Sequence, residues 1–251
     1  MKNLLSIGLS FFLLLGYAQS TSKRDFVNIV SYEETTLPPS YENLAHFPKI
    51  LQDIARAHKD PPTYYELFFN DTESLYIKTD KKVNSRPDEM STGNVQMSVA
   101  KVDVSSTAET YNNYKTKVSV DVRLIMDKEF LISENLKKIN WTLINEVKLI
   151  GNFECKKAEA KIGDDLVEAW YTPNIPTVAG PSIYWGLPGL IVEVKTKSLY
   201  FVAIQIRENI QGKIEIPTKG KKVSKEEFQK LAKERLDEMI KDKPAFRVIN
   251  E

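Results

Sequence analysis

Nucleophilic, metal-binding and acid–base sites are built from cysteine, histidine and paired carboxylates, and this chain offers few: Cys155 is its only Cys, and its 2 His are His46 and His58. A thiol becomes a nucleophile when a base or a positive neighbour holds it as thiolate. Cys155 has lysines after it and no His nearby in sequence. Three readings fit a lone cysteine: a reactive thiol, an intermolecular bridge, or a small buried apolar residue. Its place on one face of a period-two run with Phe153 favours burial. On one continuous helix His46 and His58 stand roughly 18 Å apart at ~1.5 Å per residue, too far to share a metal. Asp164-Asp165 could bind a hard cation, but beside Gly163 the pair reads as a turn. The chain has no Gly-x-Ser-x-Gly elbow, no His-Glu-x-x-His, no phosphate loop and no dinucleotide fingerprint. Neither a metal nor a cofactor is expected, and no catalytic residue is assigned.

The residues that stand out are aromatic or conformationally special. From Gly180 to Val194 the chain reads GPSIYWGLPGLIVEV. Pro188 followed by Gly189 fits the second and third positions of a type II turn, where Pro fixes φ and Gly accepts φ > 0 without a Cβ clash. Leu187, before the Pro, is pushed toward extended geometry. The turn then delivers the chain into a strand beginning at Leu190. Ahead of it, residues 173–188 form a long connection, and long connections in compact domains are often functional. Ile175, Val178, Ile183, Tyr184 and Trp185 make this one too apolar to lie free in water. Two readings follow. The segment is a lid folded over the core, or it is a binding surface with Tyr184 and Trp185 as anchors on a frame of Gly180, Pro181, Gly186, Leu187, Pro188 and Gly189. Cys155, Trp170 and Tyr171 are assigned structural roles.

The hexapeptide Gly186-Leu187-Pro188-Gly189-Leu190-Ile191 is the one after which the GLPGLI family of bacterial (Bacteroidetes) proteins is named, and the chain resembles that family. Before it, in the family's order, come Trp141, Gly151-Asn152-Phe153-Glu154-Cys155, Ala169-Trp170-Tyr171-Thr172-Pro173 and Ile175-Pro176. The run from Thr63 to Lys78 resembles the family's opening strand pair. The resemblance implies export, a sheet-rich fold and an envelope partner such as an outer-membrane transporter. It implies no reaction.

These residues need a scaffold, and the patterning predicts antiparallel strands. From Lys117 to Met126 apolar and polar residues alternate, with Val118, Val120, Val122 and Leu124 on one face and Ser119, Asp121 and Arg123 on the other. Hairpins are predicted at Asn70-Asp71-Thr72, at Gly163-Asp164-Asp165 and at Lys197-Ser198. A short strand is predicted over Lys213–Ile216, and loops over Ser85–Asn94 and Ser105–Asn113. Ser224-Lys225-Glu226-Glu227 is a capping box with Val223 placed to pack on Phe228, and Phe228, Leu231, Ala232 and Leu236 continue an apolar helical stripe. A second helix is predicted over Pro48–Ala57, ended by Pro61-Pro62.

Residues 1–18 read as a signal peptide: Lys2 precedes the apolar Leu4–Leu15 stretch, and small residues follow at Gly16 and Ala18. Residues 19–251 are expected to form a single domain in the periplasm or outside the cell, with no transmembrane segment. With 35 basic and 34 acidic residues the formal charge is +1, which gives no global field for nucleic acid. The expected fold is mainly β (α+β), a curved antiparallel sheet or half-barrel with one or two packed amphipathic helices, similar to periplasmic lipoprotein carriers. The expected function is a non-enzymatic envelope binding or accessory module. The alternatives are an apolar-ligand carrier using the half-barrel cavity and an enzyme using Cys155.

Overall fold

The computed structural model describes residues 25–37, 61–79 and 105–241. The predicted signal peptide, the Pro48–Ala57 helix, both histidines and the Ser85–Asn94 loop lie outside the described residues. Within them the chain is mainly β, as the alternating patterns predict. The strands are β1 (Phe26–Thr36), β2 (Thr63–Phe69), β3 (Glu73–Thr79), β4 (Ser105–Asn113), β5 (Val118–Ile125) and β6 (Lys128–Asn135). They continue with β7 (Thr142–Ile150), β8 (Phe153–Ile162), β9 (Asp165–Thr172), β10 (Leu190–Lys195), β11 (Leu199–Gln211) and the two-residue β12 (Lys221–Lys222). One helix, α1 (Lys225–Lys241), follows. The three predicted hairpins form, as β2–β3, β8–β9 and β10–β11.

All twelve strands belong to one curved, unclosed sheet in the order β12-β6-β5-β4-β3-β2-β1-β11-β10-β9-β8-β7. Two meanders, β2 to β6 and β7 to β11, flank β1, which pairs with β2 and β11. The curvature follows from chain length. β6 and β7 are ten strand steps apart in the sheet, which in a flat sheet is about 48 Å at ~4.8 Å per step. The connection from Asn135 to Thr142 spans seven residue steps and reaches at most about 25 Å at ~3.6 Å per step. The sheet must therefore curl until its distant parts approach each other.

Register assigns the faces of the first meander. Val30, Leu67, Tyr76, Thr110, Asp121 and Ile132 lie side by side across β1 to β6. On the same face, two residues along, lie Phe69, Ser74, Asn112, Ser119 and Glu134. The loop after β9 folds onto this face: Ile175, Ala179 and Trp185 join Val30, Tyr65, Leu67 and Tyr76 in the largest buried cluster. Near the β6 edge α1 covers it too, through Phe228 against Phe130 and Ile132. The opposite face, with Leu75, Tyr111, Val120 and Leu131, is crossed by residues 212–220, whose Ile214 is buried among them.

Two predictions need correction. Ser105–Asn113, read as a loop because it is polar, is strand β4, and its Thr110 and Asn112 are buried polar side chains. The Lys213–Ile216 stretch is an irregular strap rather than a strand, anchored by Ile214. The N-cap half of the predicted capping box forms, with the Ser224 hydroxyl accepting from the Glu227 N–H at 3.1 Å, while the Glu227 carboxylate meets Lys221 at 3.4 Å.

Candidate functional site

The signature loop is built from its own backbone. Gly186 N–H donates to Val178 C=O (2.8 Å), Leu190 N–H to Ile175 C=O (3.1 Å) and Tyr184 N–H to Pro181 C=O (3.0 Å). At Pro188-Gly189 the expected positive φ is present, 153° at Gly189, but the turn is not type II. Gly189 N–H donates to Leu187 C=O at 2.9 Å, a three-residue γ-turn centred on Pro188. Close approach adds to the need for glycine: a Cβ at Gly189 would sit 2.3 Å from the Thr172 carbonyl oxygen. Gly180 is constrained by packing alone, because a Cβ there would lie 2.5 Å from the Tyr184 carbonyl oxygen.

Tyr184 and Trp185 both turn inward and are 8% exposed. Tyr184 packs edge-on against Phe201, with ring centroids 5.7 Å apart, and burial pushes its hydroxyl pKa up to about 12. Trp185 stacks on Tyr114 at 5.4 Å and donates its indole N–H to the Lys137 carbonyl at 3.0 Å. In return Trp141 donates its indole N–H to the Trp185 carbonyl at 2.8 Å. Trp185 thus ties the signature loop to the β6–β7 crossover and to the β4–β5 turn. Leu187 is buried, while Pro188 and Ile183 are exposed.

The three residues given structural roles lie in the core. Cys155 is fully buried, and desolvation pushes its thiol pKa up to about 11. Trp170 donates to Glu168 at 2.9 Å, and the Lys148 ammonium sits 4.2 Å from its ring centroid. Tyr171 is buried in the second cluster with Ile191 and Phe201.

Between the signature loop and the polar rows of the first meander lies a cleft of ≈ 490 Å³, within the range that holds small organic ligands. Its floor is Asn112, Ser119, Asp121, Arg123 and Glu134 on β4, β5 and β6. Its walls are the crossover residues Leu136 to Asn140, the β8–β9 tip from Lys161 to Gly163, Ile183 with Trp185, and Lys225 of α1. Asp121 accepts from Arg123 through one oxygen at 3.4 Å, and Lys225 reaches Glu134 at 3.1 Å. The other Asp121 oxygen and the hydroxyls of Thr110 and Tyr76, neighbours in one register row, are buried without hydrogen-bond partners. Among the described residues no group of three or more His, Cys, Asp and Glu is placed to hold a metal. None of the floor residues stands out in the sequence. Asp121 and Arg123 read as the wet side of a half-buried strand; the signal that could have found them is the polar β4 run beside β5.

A family model described as a protein of unknown function (Porph_ging) matches residues 162–193, from the β8–β9 hairpin through the signature loop. No curated protein matches the chain. Among solved structures, PNGF-II in two crystal forms is similar at 14% and 13% identity, with a TM-score of 0.53 for each. Those alignments cover 84% of this chain and 34% and 33% of the PNGF-II chains, so the chain spans about a third of their length. That likeness is one of fold.

Proposed function

We propose that the chain is an exported, non-enzymatic binding module of the GLPGLI type, holding a small ligand in the cleft beside the signature loop and serving an envelope partner such as an outer-membrane transporter. The carrying observation is the cleft itself. Its floor includes Asp121, one of whose oxygens is buried without a hydrogen-bond partner, and a ligand donor would satisfy that oxygen where leaving it unpaired costs roughly 1–3 kcal/mol. In this reading the signature loop shapes one wall and locks the crossover that forms another.

The test compares two proteins purified from the envelope by native mass spectrometry. Asn140 and Ile183 are exposed on different walls, so Asn140→Trp with Ile183→Trp narrows the mouth without touching the core. A small molecule bound to the wild type and absent from the variant is expected. The same bound species on both, or none on either, would sink the reading. The export half is checked in the same spectra: the mature chain should begin at or near Gln19, and retention of Met1 to Ala18 would refute it.

A further inference from the structure

Resting on that reading of the cleft, we infer that its ligand is an acidic saccharide, with hydroxyls met on the floor and a carboxylate met at the rim. The charge distribution carries the argument. The whole chain is balanced, with a formal charge of +1. The cleft is not: Arg123, Lys137, Lys138, Lys161 and Lys225 line it against only Asp121 and Glu134. Both carboxylates are already engaged within the lining, by Arg123 and Lys225. Lys137, Lys138 and Lys161 have no salt bridge among the described residues, and all three are exposed at the mouth. Three ammonium groups around one opening attract an anion, and flexible lysine stems hold it as point charges rather than as a fork.

The floor asks for something other than a bare anion. Asp121 presents a buried oxygen with no donor, and Ser119 on the same face of β5 brings a hydroxyl to the floor. The Asn112 side-chain oxygen accepts from Ser119 at 2.8 Å, which leaves its amide N–H groups for a ligand oxygen. Asn135 and Asn140 add two more amides to the walls. The Asp121 carboxylate, the Ser119 hydroxyl and three amides in one cleft form a mixed donor and acceptor set, which suits a polyhydroxyl compound. A lipid tail would leave all of these groups unpaired. A phosphate ion would meet the Asp121 carboxylate with like charge, whereas a sugar places its hydroxyls there and its acid at the lysines.

Calorimetric titration of the mature chain with a galacturonic acid trisaccharide, the neutral trisaccharide maltotriose and inorganic phosphate tests this. The acidic trisaccharide should bind, and the neutral one should bind at least about tenfold more weakly, the loss of a charge-assisted contact. Replacing the exposed Lys137 and Lys138 by Gln should bring the acidic trisaccharide down to the affinity of maltotriose. Equal affinity for the two trisaccharides, or an acidic titration indifferent to the lysine changes, overturns the inference. Phosphate binding as tightly as the acidic sugar overturns it in favour of a plain anion site. If neither sugar binds while the copurifying species is still lost on narrowing the mouth, the acidic saccharide is wrong and the cleft reading stands.

Discussion

At the scale of single residues, Gly189 shows how a sequence signal can be right about a position and incomplete about its cause. Positive φ was legible from Pro-Gly, because only glycine takes that region without steric cost. The approach of the Thr172 carbonyl was not, since it depends on where β9 ends. Gly163, with φ 61° in the αL region and nothing within 4 Å of where a Cβ would stand, sets the lower bound; Gly189 combines φ 153°, a region side chains hardly enter, with a contact at 2.3 Å. Gly163→Ala should cost about 1 kcal/mol, the αL penalty alone, and Gly189→Ala clearly more, by urea denaturation. Equal losses would remove the close-approach argument. Cys155 is a second residue-scale case. Its thiol is fully buried and its pKa raised to about 11, so a thiol reagent at pH 8 should modify it only after unfolding. The linkage has a definite sign: the unfolded thiol loses its proton first, near its ordinary value of about 8.5. The stability contribution is therefore complete below that value and is lost as pH rises toward about 11. Rapid modification of the native protein would contradict the placement.

At the scale of elements, hairpins and the capped helix were legible because their signals are local: turn residues between alternating runs, and Ser224 three residues before Glu227. β4 was not, because a strand whose inner face points at a polar cleft loses the alternation by which strands are recognised. For the same reason the polar face of β5 read as solvated, and with it the floor of the candidate site went unseen. The signature loop was legible as a lid or a surface, but its bond to the crossover was not, since Trp185 and Lys137 are 48 residues apart. That bond can be tested without emptying the core. Trp185→Phe keeps a ring against Tyr114 but removes the donor to the Lys137 carbonyl, and should cost about 1–3 kcal/mol, the range for a buried group left unpaired. Trp185→Ala should cost ~3–5 kcal/mol, because the stacking volume is lost as well. Thermal melts of the pair read both terms. A Phe variant as stable as wild type would mean the crossover is held by packing alone.

At the scale of the molecule, the strand order makes β1 the element that unites the chain. It lies between the two meanders, and its pairing with β11 joins Phe26 to Gln211 at one end and Thr36 to Leu199 at the other. The Tyr32 hydroxyl adds a bond to the Ile191 carbonyl, reaching past β11 into β10. The tie is reinforced from the far side, where Trp185 holds the β9–β10 loop against the β4–β5 turn and the crossover. With two such connections, neither meander can separate without exposing the largest buried cluster, which draws on β1, β2 and β3 as well as β8, β9 and β10. Unfolding should then be one transition. The sequence supplies a convenient probe, because the 3 Trp, Trp141, Trp170 and Trp185, all follow β6. Tryptophan fluorescence reports the second meander and its loop, whereas far-UV circular dichroism reports strands from both. In urea the two signals should share one midpoint, the mark of a cooperative unit. A fluorescence midpoint displaced from the dichroism midpoint would show that the meanders unfold separately, and that β1 does not hold them together.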